Sequence, residues 1–245
     1  MGTHSSHVLM EANLYSIPVL ADLIPRALWL DGDAYGKLKS NPQAQAAAQS
    51  GGRLVALLGL ALGVAEFVRT LLNWAVTPDL TEVQRVLAQD LPALPMLGRW
   101  GAGVGELLAE HSWLWAALRP LWPTPALALA RAVLTPLALL LGWLAYGCLA
   151  HGAARLLGGG GSLRDTLRCT ALAEAPRIVL LWPFLPAWGL GLLGVGAWVL
   201  TGRWLALRAA HGLDPWRAFW AALGPLLLEG GLGLLALLAL LGWAG

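Results

Sequence analysis

Long apolar stretches separated by short polar segments dominate the chain after residue 53. Each stretch is close to the ~20 residues that an α-helix needs to cross a ~30 Å hydrocarbon core. The pattern predicts an all-α integral membrane protein, because a helix in lipid satisfies its backbone hydrogen bonds internally. Five transmembrane helices are predicted, at about Leu54–Val76, Ala126–Ala150, Leu167–Pro186, Gly189–Leu207 and Ala218–Trp243.

The first fifty residues contain no apolar run long enough to span a bilayer. Within them, Ile17–Leu30 places apolar residues at helical spacing with Trp29 beside them, which is typical of an amphipathic helix lying on a membrane surface. We therefore predict a cytosolic N-terminal segment with an interfacial helix over residues 1–50, and a five-span membrane domain over residues 51–245.

The segment between the first two predicted spans, about residues 77–125, is too long to be a simple turn. Asp79–Leu91 carries leucine and valine along one helical face, and Trp100–Leu118 is a second apolar-faced stretch. The spacing predicts a helical outer loop that lies on the outer leaflet or across the mouth of the bundle.

Charge sets the predicted orientation and excludes one class of partner. The chain is 58% hydrophobic and 12% charged, whereas soluble proteins are about 25% charged. The net charge of +2 gives no basic footprint for nucleic acid.

Basic residues concentrate on alternate loops, which predicts a cytosolic N-terminus and a C-terminus outside. The excess of arginine over lysine favours a bacterial cell (inner) membrane.

Charged residues within the predicted spans are the most specific chemical feature. A charge at the bilayer centre costs about 2.5–3.5 kcal/mol, and such residues mark functional sites by default. The pattern is open to three interpretations: internal ion pairs that fix helix register, a polar pathway, or a partner-binding site. The candidate intramembrane polar cluster consists of Glu66, Arg69, Arg131, Glu174, Arg177 and Glu229.

Small residues and one proline predict sites of close helix packing. Gly59 and Gly63 form a GxxxG motif in the first span, and Gly189 begins a glycine-rich fourth span. These glycines could pack helices within one monomer or between two copies. Pro176 frees a backbone carbonyl in the turn before it, which a neighbouring arginine could take.

Motifs for catalysis, cofactors and metals are lacking in the sequence. HExxH, GxSxG and phosphate-loop patterns do not occur. The run that starts at Asp31 begins like a calcium loop but has Pro42 where the bidentate glutamate belongs. His151 and His211 are interpreted as interfacial residues rather than metal ligands, and Cys148 and Cys169 as packing residues. We predict no catalytic, cofactor-binding or metal site, and no enzymatic activity.

Two stretches carry a family resemblance. Residues 153–168 read Ala-Ala-Arg-Leu-Leu-Gly-Gly-Gly-Gly-Ser-Leu-Arg-Asp-Thr-Leu-Arg, and the next span contains Pro176. Residues 207–213, with Arg217 and Ala218, lead into the last span. Together they resemble the Yip domain family (Ypt-interacting proteins), especially its bacterial members, in a helix ending Arg-Leu-Leu-Gly-Gly, a Gly/Ser turn and a proline in the following span. Glu174 beside that proline departs from the family.

The resemblance covers the chain from about Gly51 onward and implies five spans with a cytosolic N-terminus. In eukaryotes the family is linked to Rab-type GTPases and vesicle traffic, whereas bacterial members have no settled activity. We therefore expect a non-enzymatic protein in contact with the lipid bilayer, which acts through other membrane proteins or itself in membrane organisation or trafficking. The alternatives are a small transporter or channel subunit whose polar midplane forms the pathway and, more remotely, an intramembrane enzyme that uses the same carboxylates.

Overall fold

Helices make up most of the chain that the computed structural model describes, which is residues 22–40, 51–87, 115–116, 118–182 and 190–243. These residues include no strand, so the predicted all-α fold class is confirmed for them. The α-helices are α1 (residues 22–28), α2 (Gly32–Ser40), α3 (Gly51–Val76), α4 (Leu80–Arg85), α5 (Pro125–Leu156), α6 (Leu163–Ala173), α7 (Leu190–His211) and α8 (Pro215–Trp243). Short 3-10 helices lie at Arg119–Leu121 and Ala175–Leu181.

The chain divides into two compact units. The first unit contains residues 1–62 and 136–245, and the second contains residues 63–135. These boundaries fall inside α3 and α5, and the N-terminal segment shares a unit with the C-terminal helices.

Within the described residues, α3 and α5 are long and apolar enough to cross a membrane, judged by length and composition. They cover the first two predicted spans and extend beyond them, since α3 begins at Gly51 and α5 continues to Leu156. Both helices carry leucine and valine side chains on exposed faces, for example Leu57 and Leu141. Exposed apolar side chains of this kind suit a lipid environment.

The third predicted span differs from a single α-helix. The α6 helix ends at Ala173, Glu174 is its C-cap, and a 3-10 helix follows from Ala175 to Leu181. Pro176 explains the break, because proline has no N–H to bond the carbonyl four residues earlier and its ring clashes with that carbonyl. The remainder of the predicted span, residues 183–186, lies outside the described residues.

Local cap chemistry sets where α6 and α8 begin. The side chain of Ser162 accepts from the Asp165 N–H, and the Asp165 carboxylate accepts from the Ser162 N–H, so the two residues form a capping box. At α8, Asp214 Oδ1 accepts from the N–H groups of Trp216 and Arg217, both at 3.1 Å. Asp214 is therefore the N-cap of α8.

Alanine and other small residues form much of the core of the first unit. One buried cluster joins α5, α7 and α8 and includes Tyr146, Leu207 and Ala222. Another joins the first half of α3 to α5 and α6 through Val55, Trp143 and Ala171. Small side chains allow close helix packing, so α7 lies against several other helices of this unit.

The N-terminal segment docks onto this core through one face. Leu23 and Ala27 of α1 and Tyr35 of α2 are buried with residues of α6 and α7. The indole of Trp198 donates to the carbonyl oxygen of Leu28 at 2.8 Å. The predicted interfacial helix thus buries its apolar face against protein over residues 22–28, while Trp29 stays 86% exposed. Residues 17–21 of that prediction lie outside the described residues.

Candidate functional site: a buried carboxylate between arginines

Glu174 is the most deeply buried charged residue of the described chain. Its side chain is 0% exposed, at the junction between α6 and the 3-10 helix. Arg177 donates through Nε to Oε2, and Arg203 of α7 donates to Oε1 through Nε at 2.9 Å and Nη2 at 2.6 Å. Each carboxylate oxygen therefore has a guanidinium partner, which is what a buried charge needs to offset its desolvation.

Arg203 extends this contact to two more helices. Its guanidinium carbon lies 3.7 Å from the ring centroid of Tyr146 on α5, a cation–π distance. The Tyr146 hydroxyl donates to the carbonyl oxygen of Ala222 on α8 at 3.1 Å, in the turn that precedes Pro225. Arg203 thus links α7 to the carboxylate of Glu174 and, through Tyr146, to α5 and α8.

Arg203 is a site residue that the sequence analysis did not single out. The available signal was its position two turns inside α7, which ends at His211. An arginine that far inside an apolar helix needs a nearby anion. The sequence did not indicate which of the carboxylates would supply it.

Tyr35 of α2 approaches the same region. Its side chain is fully buried, and its hydroxyl has no hydrogen-bond partner among the described residues. Burial, with smaller contributions from Cys169 and Glu174, raises the pKa of the phenol well above its usual value. Gly202 allows this approach, because a Cβ there would lie 3.1 Å from the Tyr35 hydroxyl and 3.3 Å from the Ala173 Cβ.

Asp31, which begins the calcium-like run, stabilises the docked N-terminal segment. Its carboxylate accepts from Arg26 Nε at 2.7 Å and from the Asp33 N–H at 2.9 Å. The bond from Arg26 holds the pKa of Asp31 below its ordinary value. Both carboxylate oxygens are thus used locally, as a helix cap and an arginine partner.

The Gly/Ser turn between α5 and α6 packs around His211. The Gly161 N–H donates to His211 Nδ1 at 3.2 Å, and His211 Nε2 lies 2.8 Å from Thr166 Oγ1. Since Nδ1 accepts, Nε2 carries the proton and donates to Thr166, whose hydroxyl donates to the Ser162 carbonyl oxygen. A Cβ at Gly161 would lie 2.3 Å from the Ala210 carbonyl oxygen. The turn is therefore tightly packed against the end of α7.

The remaining polar candidates fall into two groups. In the second unit, Glu66 pairs with Arg69, and Arg131 Nη1 lies 3.8 Å from Glu66 Oε2 and 3.4 Å from Thr70 Oγ1. In the first unit, Glu229 is exposed on α8 and pairs with no cation of the described chain. Glu174 and Arg177 are therefore brought together with Arg203, not with Glu229.

The predicted packing residues are placed as follows. Gly59 meets α5, because a Cβ there would lie 2.9 Å from the Pro136 Cα. Gly63 is buried in the second unit, and Pro176 is buried in the first turn of the 3-10 helix. Gly189 lies outside the described residues. Within the described ranges, no three His, Cys, Asp or Glu residues are grouped to hold a metal ion.

Comparison with known proteins identifies the family. The family model described as the Yip1 domain matches residues 53–237, a range that includes Glu174, Arg203 and the Gly/Ser turn. No curated protein and no solved structure matches the chain. The model covers more than half of the sequence, and the chain therefore belongs to the Yip1 domain family.

Proposed function

We propose that this Yip1-domain protein is a multi-pass membrane protein that acts through protein partners in membrane organisation or trafficking and catalyses no reaction. In this proposal the spans place the N-terminus in the cytosol and the C-terminus outside, in a bacterial cell (inner) membrane. Family membership and the two helices long and apolar enough to cross a bilayer support the membrane setting.

The observation that carries the proposal is the burial of Glu174 between two arginines. A carboxylate in a transport pathway has to exchange protons or ions with water, whereas Glu174 is 0% exposed and both its oxygens accept from guanidinium groups. Its charge fixes the junction of α6, α7 and the 3-10 helix. This arrangement favours a scaffold that presents surfaces to partners.

A flux measurement separates this proposal from a transporter or channel. The full chain is reconstituted into vesicles, and proton and ion fluxes are compared with those of Glu66→Gln, Glu174→Gln and Glu229→Gln. Glu82→Gln is the matched control, because Glu82 is exposed on α4 outside the predicted spans. We expect the wild-type chain and all of the variants to give the same flux as protein-free vesicles. A flux that any midplane variant abolishes, and that Glu82→Gln preserves, would establish the transporter function instead.

Crosslinking tests the role of partners. The exposed face of α8 carries Leu228 and Leu232, whereas Ala222 on the same helix is buried. A photoreactive residue at position 228 or 232, in native membranes, is expected to form discrete adducts with membrane proteins, and one at position 222 is not. Adducts with lipid alone at both exposed positions would count against the proposal.

A further inference from the structure

A cavity of about 510 Å³ lies in the second unit, beside α4 and the segment that leads into α5. Small-molecule sites have volumes of ~300–1,000 Å³, so the cavity is large enough for a small ligand. Its lining combines two indoles, one side chain of each charge and neutral polar groups. The residues that the argument uses are Asp79, Gln84, Trp115, Arg119, Trp122 and Thr124.

Hydrogen bonds hold the two walls of the cavity in place. Trp122 Nε1 donates to the Pro78 carbonyl oxygen at 3.2 Å, which joins the wall before α5 to the turn before α4. Thr124 Oγ1 accepts from the Leu127 N–H at 3.0 Å and so caps the start of α5. A cavity with walls fixed in this way is largely formed before a ligand binds, which lowers the entropic cost of binding.

The two charged residues of the lining have no charged partner among the residues that the structure describes. Asp79 is the N-cap of α4, yet its carboxylate makes no capping hydrogen bond. Neither Asp79 nor Arg119 forms an ion pair with any residue in the described ranges, including each other. Asp79 and Arg119 thus line the same cavity, and their charged groups lie further apart than an ion pair.

This charge pattern discriminates between ligand classes. A simple anion would be repelled by Asp79 and a simple cation by Arg119, whereas a molecule with both charges can satisfy both. An ammonium group is stabilised by a carboxylate and by the faces of tryptophan rings. A phosphate is recognised by the planar guanidinium of arginine through paired hydrogen bonds.

We propose that this cavity binds a zwitterionic phosphoester, with Asp79, Trp115 and Trp122 around its ammonium group and Arg119 on its phosphate. Gln84 and Thr124 supply neutral hydrogen-bonding groups to the oxygens of the phosphoester. The same chemistry occurs in two sources: the headgroup of a zwitterionic phospholipid, and a soluble ester such as phosphocholine. The cavity adjoins the ends of α3 and α5 at Val76 and Pro125, and headgroups lie at the level where spanning helices end.

Binding is tested on the full chain in nanodiscs made of phosphatidylglycerol, a lipid without an ammonium group. Phosphocholine, inorganic phosphate and glucose are titrated separately, with dissociation constants measured by ligand-observed NMR. The variants are Asp79→Asn and Arg119→Gln, and Glu82→Gln is the matched control because Glu82 is on α4 but outside the lining. Thermal unfolding of each variant in the nanodisc shows that the fold is retained.

We expect phosphocholine to bind more tightly than phosphate, and glucose not to bind. Asp79→Asn and Arg119→Gln should each weaken phosphocholine binding about tenfold or more, since each removes one charge-assisted contact. Glu82→Gln should leave the dissociation constant of phosphocholine unchanged. Asp79→Asn should not weaken the binding of inorganic phosphate, because the substitution removes a carboxylate that repels the anion. Glucose binding as tight as phosphocholine, phosphocholine binding insensitive to both variants, or no binding at all would overturn the proposal.

Competition then identifies the source of the ligand. Nanodiscs that also contain phosphatidylethanolamine or phosphatidylcholine are titrated with phosphocholine. A loss of apparent phosphocholine affinity supports the proposal with a lipid headgroup as the occupant, since the lipid has filled the cavity. An unchanged affinity supports it with the soluble ester as the occupant.

Discussion

Arg203 holds the buried carboxylate of Glu174 through two hydrogen bonds to one oxygen, although 29 residues separate them in the chain. Arg177, three residues from Glu174, binds the other oxygen. The carboxylate thus has one local and one distant partner. The distant partner joins α7 to the 3-10 junction and stacks on Tyr146 of α5.

The first prediction concerns this pair. Arg203→Gln should destabilise the protein by about 3–5 kcal/mol, because it leaves a buried carboxylate with only its partly exposed partner. Arg208→Gln is the control, since Arg208 is exposed on the same helix and should change stability by no more than about 0.5 kcal/mol. Stability is measured as the unfolding midpoint in detergent. The double variant Glu174→Gln/Arg203→Gln should regain part of the loss, and strict additivity of the two single changes would contradict the pairing.

The second prediction concerns the packed Gly/Ser turn. Gly161→Ala should lower stability by about 1–3 kcal/mol, because its Cβ meets the backbone of α7, which cannot rotate away. Gly160→Ala is the matched control, since a Cβ at the neighbouring glycine meets nothing within 4 Å. Thermal unfolding of both variants checks this. Equal effects of the two substitutions would show that glycine is needed there for flexibility and not for contact.

The third prediction concerns Tyr35 and alkaline pH. The hydroxyl of Tyr35 is buried without a hydrogen bond to a described residue, so Tyr35→Phe should keep or raise stability at pH 7 by up to about 1 kcal/mol. The pKa of the Tyr35 phenol is higher in the folded protein than the unfolded value of 10.0, so the unfolded chain ionises first as the pH rises. The free energy of unfolding is therefore unaffected by this ionisation below about pH 10 and falls as the pH rises further.

The direction of this pH dependence is tested by measuring unfolding midpoints at pH 7 and pH 11. Between these two pH values the wild type should lose more stability than Tyr35→Phe, since only the wild type can ionise at this position. The other titrating groups are common to both proteins and cancel in the comparison. A smaller loss in the wild type would contradict the assigned burial of the phenol.

The fourth prediction concerns the orientation of the termini. If the proposed five spans and the cytosolic N-terminus are correct, a C-terminal alkaline phosphatase fusion should be active outside the cell membrane. A C-terminal green fluorescent protein fusion should stay dark, because that reporter does not fold after export in an unfolded state. The same reporters placed after residue 160, in the Gly/Ser turn, should show the opposite pattern. A fluorescent C-terminal fusion would require an even number of spans.

Much of the helical framework could be predicted from residues that are close together in the chain. The lengths of the apolar runs predicted the ranges that α3, α5, α7 and α8 occupy. Ser162 and Asp214 cap backbone N–H groups within three residues of themselves, and these local bonds set where α6 and α8 begin. Pro176 and Pro225 show the limit of this reasoning, since the first lies where α6 gives way to a 3-10 helix and the second lies inside a continuous α8.

The sequence by itself determined the all-α class, most helix ranges and the local caps, because each depends on residues within one or two helical turns. Tertiary structure alone decided that Arg203 completes the carboxylate site, that α1 and α2 dock on α6 and α7, and that Glu229 faces outward. Those outcomes depend on how each helix is rotated about its axis and which neighbour it meets. In a chain where apolar residues surround most helices, hydrophobic periodicity does not fix that rotation.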